Sequence, residues 1–218
     1  MSELFSIQLQ NRQQQGRDGV WLDLPTTTEQ VQAALRQIGI SSDNSQGLFI
    51  SGYFAEEEKR FAIPYNMVLA SNVDELNFLA SRLETLSTGE RAELNAALQA
   101  PQSDLSSIGK ITDFPENVDY YVHLPDVHGP AQLGDYYLNR SGMVDMPEEW
   151  KGGIDTAQFG RYVAQQEQGV FTEYGYLVKS GDEWQKVYEG QPVPEEYRVL
   201  SLPAPEILRD AANIPTPI

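Results

Sequence analysis

Two histidines, His123 and His128, lie five residues apart with Asp119 and Asp126 close by in the chain. Imidazole and carboxylate are metal ligands, and a strand followed by a Pro-containing turn can bring such groups together. The spacing is not that of a recognised ligand set, however, and His128-Gly129-Pro130 reads more simply as a turn. Glu56, Glu57 and Glu58 stand in a row before Lys59 and Arg60, which is the pattern of a solvated loop rather than of a paired acid and base. Ser106 and Ser107 have no base near them in sequence. Gly109-Lys110 lacks the earlier glycine of a phosphate-cradling loop and is followed by Ile111. Neither G-x-G-x-x-G nor G-x-S-x-G occurs. The chain has no cysteine, which excludes a thiol nucleophile, a zinc-thiolate site and a disulfide framework. No positioned acid, base or nucleophile is nominated. The expectation is a protein that is not an enzyme and that holds neither cofactor nor metal.

The chemistry on offer is charge. Among 218 residues, 32 are acidic and 15 basic, for a net charge of −17. A field of that sign repels phosphate, so direct nucleic-acid binding through a basic patch is excluded, as is attraction to an anionic membrane surface. The charge is unevenly spread. Residues 113–178 carry 11 acids and 3 bases, net −8, whereas 1–60 (8 and 5), 61–112 (6 and 3) and 179–218 (7 and 4) carry −3 each. The acids of the rich segment are interleaved with Tyr120, Tyr121, Tyr136, Tyr137, Trp150, Phe159 and Tyr162. Such a segment folds; it is not a disordered acidic tail. Plain solubility is the simplest use of the charge. Met1 to Leu9 has no basic n-region and no long apolar run, and no window nears the roughly 18 apolar residues that span a bilayer. A cytoplasmic protein without a membrane partner is expected.

The elements that must carry these charges can be read from periodicity. Phe5, Ile7 and Leu9 alternate in a strand, Gly16 to Gly19 is a turn, and Val20 to Leu24 is a second strand anchored by Trp21. Thr26 with Glu29 fits a capping box for a helix over 27–38 that Gly39 ends, and 47–54 is a third strand. From Pro64 the texture becomes helical. Ser71 or Asn72 caps one Leu-rich helix, Ser87 with Glu90 caps a second that Pro101 stops, and a short third runs over 104–110. Beyond Ile111, Val118, Tyr120, Val122 and Leu124 share a strand face. Residues 130–139 are helical to a stop at Gly142, and 147–151 is one acidic turn. Asp155 caps a helix through Gln166, 170–178 is a strand, and 184–188 is its partner. Six prolines in 190–218 suggest an extended or poorly ordered tail. The fold class is α+β. Three textures divide the chain into an α+β unit (1–62), a small helical unit (63–110), a second α+β unit (111–190) and a Pro-rich tail (191–218).

Several stretches, in one order, resemble the ArdA antirestriction family of mobile elements. Gly19-Val20-Trp21-Leu22-Asp23-Leu24-Pro25 is similar to its early strand, and Ser71 to Leu98 to its Leu-rich helical pair. Leu133 to Gly142, with Asp135-Tyr136-Tyr137, resembles its A-x-Y-Y-x-x-x-x-G helix. Val144-Asp145-Met146-Pro147-Glu148-Glu149 followed by Ile154-Asp155-Thr156-Ala157-Gln158-Phe159-Gly160-Arg161 looks like its antirestriction motif, with Thr156 where the family usually has Tyr. The resemblance implies an elongated chain of three small domains and a protein that mimics DNA. Such a protein occupies the DNA-binding groove of a type I restriction-modification enzyme, protecting an incoming mobile element, with two copies paired through the third unit.

The charge can be compared with that task. A dimer would carry 2 × 17 = 34 net negative charges, equal to roughly 58 Å of duplex or about 17 base pairs at one charge per ~1.7 Å. The expected mimic face is Asp119, Asp126, Asp135, Asp145, Glu148, Glu149 and Asp155, each at a strand end, a helix start or a polar helix side. Asp155 also has a capping role open to it. The expected homodimer contact is Phe159, Tyr162, Val170, Phe171 and Tyr174. The alternative is an acidic protein–protein interaction module of the same fold with weak or no antirestriction activity.

Overall fold

Alternation in the first strand decides the first layer. The computed structural model describes residues 3–14, 18–57, 60–101 and 103–203. Within it, β1 (Phe5–Asn11) buries Phe5, Ile7 and Leu9 and runs antiparallel between β2 (Val20–Leu24) and β3 (Leu48–Phe54), in the order β2-β1-β3. Phe5 pairs with Leu24, Ile7 with Leu22 and Leu9 with Ile50, so the inward residues of all three strands meet. Helix α1 (Thr28–Gln37) adds Val31, Ala34 and Leu35 to the same core and ends before Gly39, whose φ is +65°.

Two expectations shift here. The capping box of α1 is Thr27 with Gln30, one residue after the Thr26–Glu29 pair. Thr26 is itself buried, and its N–H donates to Asn77 Oδ1 at 2.7 Å. Trp21 does not anchor the core, because strand parity sends Leu22 and Leu24 inward and Trp21 out. It is 49% exposed, opposite Gln8 and against Gly52, where a Cβ would come within 3.0 Å of its ring.

The middle of the chain is helical: α2 (Tyr65–Leu69), α3 (Val73–Leu83), α4 (Thr88–Gln99) and α5 (Ile108–Asp113). Asn72 with Glu75 and Ser87 with Glu90 form full capping boxes on α3 and α4. Leu76, Leu79, Leu83 and Leu94 are fully buried. The third helix lies over 108–113 rather than 104–110, since the cap is Ser107, whose hydroxyl accepts from Lys110 N–H.

The third part holds the second sheet, in the order β4-β6-β5, made of β4 (Tyr121–Leu124), β5 (Val170–Thr172) and β6 (Gly175–Lys179). Val118–Tyr120 is a 3-10 turn and not strand, so the parity expected for 118–124 is reversed: Tyr121 is buried and Val122 is 46% exposed. The single strand expected over 170–178 is instead a hairpin, closed through Gly175 at φ +119°. No strand forms at 184–188. The N–H of Gln185 is taken by Asn117 Oδ1, and those of Val187, Tyr188 and Glu189 by Asp113. Residues 190–203 contain one 3-10 turn and no strand, yet they are packed: Val199 is buried, and its N–H and that of Leu200 both donate to Asp74 Oδ1 at 2.7 Å. The remainder of the Pro-rich tail lies outside the described residues, as do part of the Gly16–Gly19 turn and Glu58-Lys59 of the charged turn.

One buried cluster runs from Leu4 to Val199 and takes residues from either side of positions 62 and 110. A second, centred on Val127, Leu133 and Tyr176, lies beneath helices α6 (Pro130–Asn139) and α8 (Thr156–Glu167).

Candidate functional site

The acidic segment is organised by the crossing of α6 and α8. Gly134 and Gly160 face each other there: a Cβ on Gly160 would lie 1.8 Å from the Pro130 carbonyl oxygen, and one on Gly134 1.9 Å from that of Thr156. The two backbones touch, which only glycine permits. The connection between these helices holds the one-turn α7 (Glu148–Lys151) and begins at Gly142, with φ +70°.

This frame places the carboxylates. Asp155 is the N-cap of α8; its Oδ1 accepts from Ala157 N–H at 2.9 Å and Gln158 N–H at 3.0 Å. Asp135, on α6, is partly exposed, accepts from Asn139 Nδ2 and pairs with Arg140 at 3.4 Å. Asp145, Glu148 and Glu149 are exposed in the connection, with Glu148 paired to Lys151 at 2.9 Å. Asp119 and Asp126 are exposed at opposite ends of β4. The structure therefore brings five of the seven expected residues onto α6, α8 and the link between them, and sets Asp119 and Asp126 to flank the sheet.

The other four acids of 113–178 are consumed within the fold. Asp113 is fully buried and accepts three backbone N–H groups. Glu116 pairs with Arg82, and Glu173 accepts from Gln99. Glu167 accepts the hydroxyl of Tyr137 at 2.5 Å and that of Tyr176 at 3.0 Å. Burial, with this carboxylate beside it, raises the Tyr137 hydroxyl well above its ordinary pKa. Of the three cations, Arg140 and Lys151 are ion-paired and Arg161 is exposed.

A family model for antirestriction protein (ArdA) matches residues 15–178. The chain belongs to the ArdA antirestriction family. A search of curated proteins found no match. The matched span takes in the α6–α8 crossing and the acidic link, and stops just short of the segment that Asp113 and Asp74 hold. The family is one of antirestriction proteins. No helix among the described residues is long and apolar enough to cross a membrane.

Other candidate groups have ordinary structural duties. His123 Nε2 lies 2.7 Å from the Tyr174 carbonyl oxygen, and among the described residues no group of three or more His, Cys, Asp and Glu is arranged to hold a metal. A cavity of about 510 Å³ opens between the ends of α4 and α8 and strand β6. Its charged residues are already engaged, Lys179 with Asp104 at 2.6 Å and Glu167 with the two tyrosines.

The aromatic residues expected at a dimer contact divide. Tyr162 is 60% exposed. Phe171 packs on Tyr176 with ring centroids 5.0 Å apart, Val170 and Tyr174 lie against the main core, and Phe159 is partly buried. Sequence reasoning missed Trp150 and Met143 as surface groups, 66% and 76% exposed; Met143 follows Gly142 and Trp150 lies two residues before Gly152-Gly153, a context that leaves little to cover them. It also missed the pairing of Gly134 with Gly160, although Gly160 lies inside the recognised motif.

One buried acid gives a pH prediction. Glu93 on α4 has a carboxylate oxygen buried without a hydrogen-bond partner, and its pKa is pushed up to about 8 by burial first and then by Glu90 and Asp119. The folded chain keeps this carboxyl protonated where the unfolded chain ionises it. Its contribution to stability is full below about pH 4.5 and is lost as pH rises through 8. Urea midpoints measured from pH 5 to 9 are expected to fall less for Glu93→Gln than for the unmodified chain, with the variant more stable at the alkaline end. Parallel curves would overturn this.

Proposed function

We propose that the protein is a DNA mimic that occupies the DNA-binding groove of a type I restriction-modification enzyme and so protects an incoming mobile element. The observation that carries this reading is the division of labour among the acids of 113–178. Those tied to the fold are turned inward or bonded, while Asp119, Asp126, Asp145 and Glu149 reach solvent with no hydrogen bond or ion pair among the described residues, beside the partly engaged Asp135, Glu148 and Asp155. Carboxylates so placed stand in for phosphates before the Lys and Arg of a DNA-binding groove, and their binding releases counterions as DNA binding does.

The test is competition between the protein and labelled duplex for a purified type I methyltransferase complex, at several salt concentrations. Displacement that weakens steeply with salt is expected. No displacement at low salt overturns the reading and favours the interaction-module alternative, which the exposed Trp150 and Met143 support by supplying apolar contact area that a purely electrostatic mimic does not need.

The mimic is proposed to act as a homodimer through the third unit, with exposed Tyr162 at the contact and Phe159, Val170, Phe171 and Tyr174 beside it. Light scattering at micromolar concentration is expected to give a mass near 49 kDa, twice the 24.4 kDa of one chain. A mass near 24 kDa would remove the dimer.

A further inference from the structure

We infer that residues 184–203 form a clamp that fixes the three parts of the chain relative to one another, and so sets the path along which the carboxylates are displayed. The segment lies beyond the 15–178 span that matches the family model, and its attachments are spread over all three parts of the fold. It begins on the third part, where Asn117 holds residue 185 from both sides: Gln185 N–H donates to Oδ1 at 2.7 Å, and Nδ2 donates to the Gln185 carbonyl at 3.0 Å. It next crosses the end of α5, where Asp113 takes the three N–H groups of 187–189. Over α3 the ring of Phe78 receives Tyr188 and Tyr197, with centroids 4.8 and 4.7 Å away. The segment finishes on the first part, where Ser201 meets Gln32 of α1 at 3.1 Å and the Pro203 carbonyl accepts from Ser42 N–H.

Two side chains show that these attachments are interdependent. Asn77 on α3 accepts from Thr26 N–H through Oδ1 and donates to the Tyr197 carbonyl through Nδ2, so one buried amide joins the first part, the helical part and the clamp. Asp113 is a fully buried carboxylate whose side-chain bonds all come from the clamp backbone. Releasing that backbone would leave a charge in the core with no donor, which is strongly unfavourable. The clamp therefore holds along its length and not as a frayed end.

The functional part of this inference rests on the mimic reading; the structural part does not. The test uses the full chain in two variants. Asp74→Ala removes the acceptor of Val199 and Leu200, and Tyr197→Ala removes one ring from Phe78. Asp18→Asn serves as a control that alters exposed surface charge outside both the clamp and the mimic face. Amide exchange within 185–203 is expected to rise at least tenfold in both variants with β1 unchanged, small-angle scattering to show a larger maximum dimension, and competition with duplex to weaken at least fivefold. Faster exchange with unchanged scattering and competition overturns the clamp. So does loss of protection in β1 in both variants, since a clamp can be released without unfolding what it holds. If the unmodified chain does not compete with duplex, the mimic reading fails, and exchange and scattering still decide the clamp.

Discussion

Gly160→Ala is expected to lower the stability of the chain by at least ~2 kcal/mol, although alanine is the better helix former. The propensity gain is about 1 kcal/mol. Against it stands overpacking, which costs ~3 kcal/mol when no side chain can yield. The new Cβ would meet the Pro130 carbonyl oxygen at 1.8 Å and the Gly134 nitrogen at 2.8 Å, both of them backbone. Relief requires α6 and α8 to separate, which opens the cluster of Val127, Leu133 and Tyr176 beneath them. For a chain of this size the net loss corresponds to roughly 4–8 °C in Tm. Gly89, in the first turn of α4, has nothing within 4 Å of its would-be Cβ, so Gly89→Ala is the matched control and should be neutral or slightly stabilising. Equal melting temperatures for both variants would show that the crossing is looser than described.

The second large effect is on inhibition. Neutralising Asp145, Glu148 and Glu149 together (Asp→Asn, Glu→Gln) is expected to weaken competition with duplex at least tenfold at moderate salt. The slope of log affinity against log salt should become shallower by about 2–3, since each matched charge contributes ~0.9. Each single change should be modest, because one carboxylate replaces one phosphate contact among many. The fold should survive: all three residues are exposed, and of them only Glu148 has an ion pair, the i,i+3 pair with Lys151. Removing like charges also relieves repulsion. Unchanged inhibition with an unchanged salt slope would show that the α6–α8 link is not the contact face.

Local signals were the legible ones. Ser87 and Asp155 cap the helices they were expected to cap, and Asn72 is the cap of the two candidates Ser71 and Asn72, because a cap is written within three or four residues of its helix. Parity was misread where a single residue decides it: Tyr120 belongs to a turn, so the strand starting at Tyr121 presents the opposite face. Trp21 misled for a related reason, since large aromatic area suggests burial while the alternation of Leu22 and Leu24 dictates exposure. The roles of Asp113, Asn77 and the two helix-crossing glycines were not legible. Their partners are set by tertiary approach across 26 to 120 residues, and no spacing rule links Gly134 to Gly160 or Asn77 to Tyr197. For the candidate site, residue types and exposed positions were readable, but which acids the fold consumes was not. Glu167 and Asp145 look alike in sequence, and only the placement of Tyr137 and Tyr176 separates them.

The clamp also has a consequence in time. Its bonds join residues that emerge far apart during synthesis: Asp74 waits for Val199 across 125 positions, and Gln32 for Ser201 across 169. At about 5–20 residues per second, Gln32 leaves the peptidyl-transferase centre some 8–34 s before its partner is made. Local hairpins and capped helices form in microseconds, so the nascent chain has ample time to build its sheets and helices while Phe78 and Asp113 are still uncovered. Clamp closure is thus a late event, and a nascent chain that has emerged only to about residue 180 has its acidic link complete while the clamp over Phe78 and Asp113 is still missing.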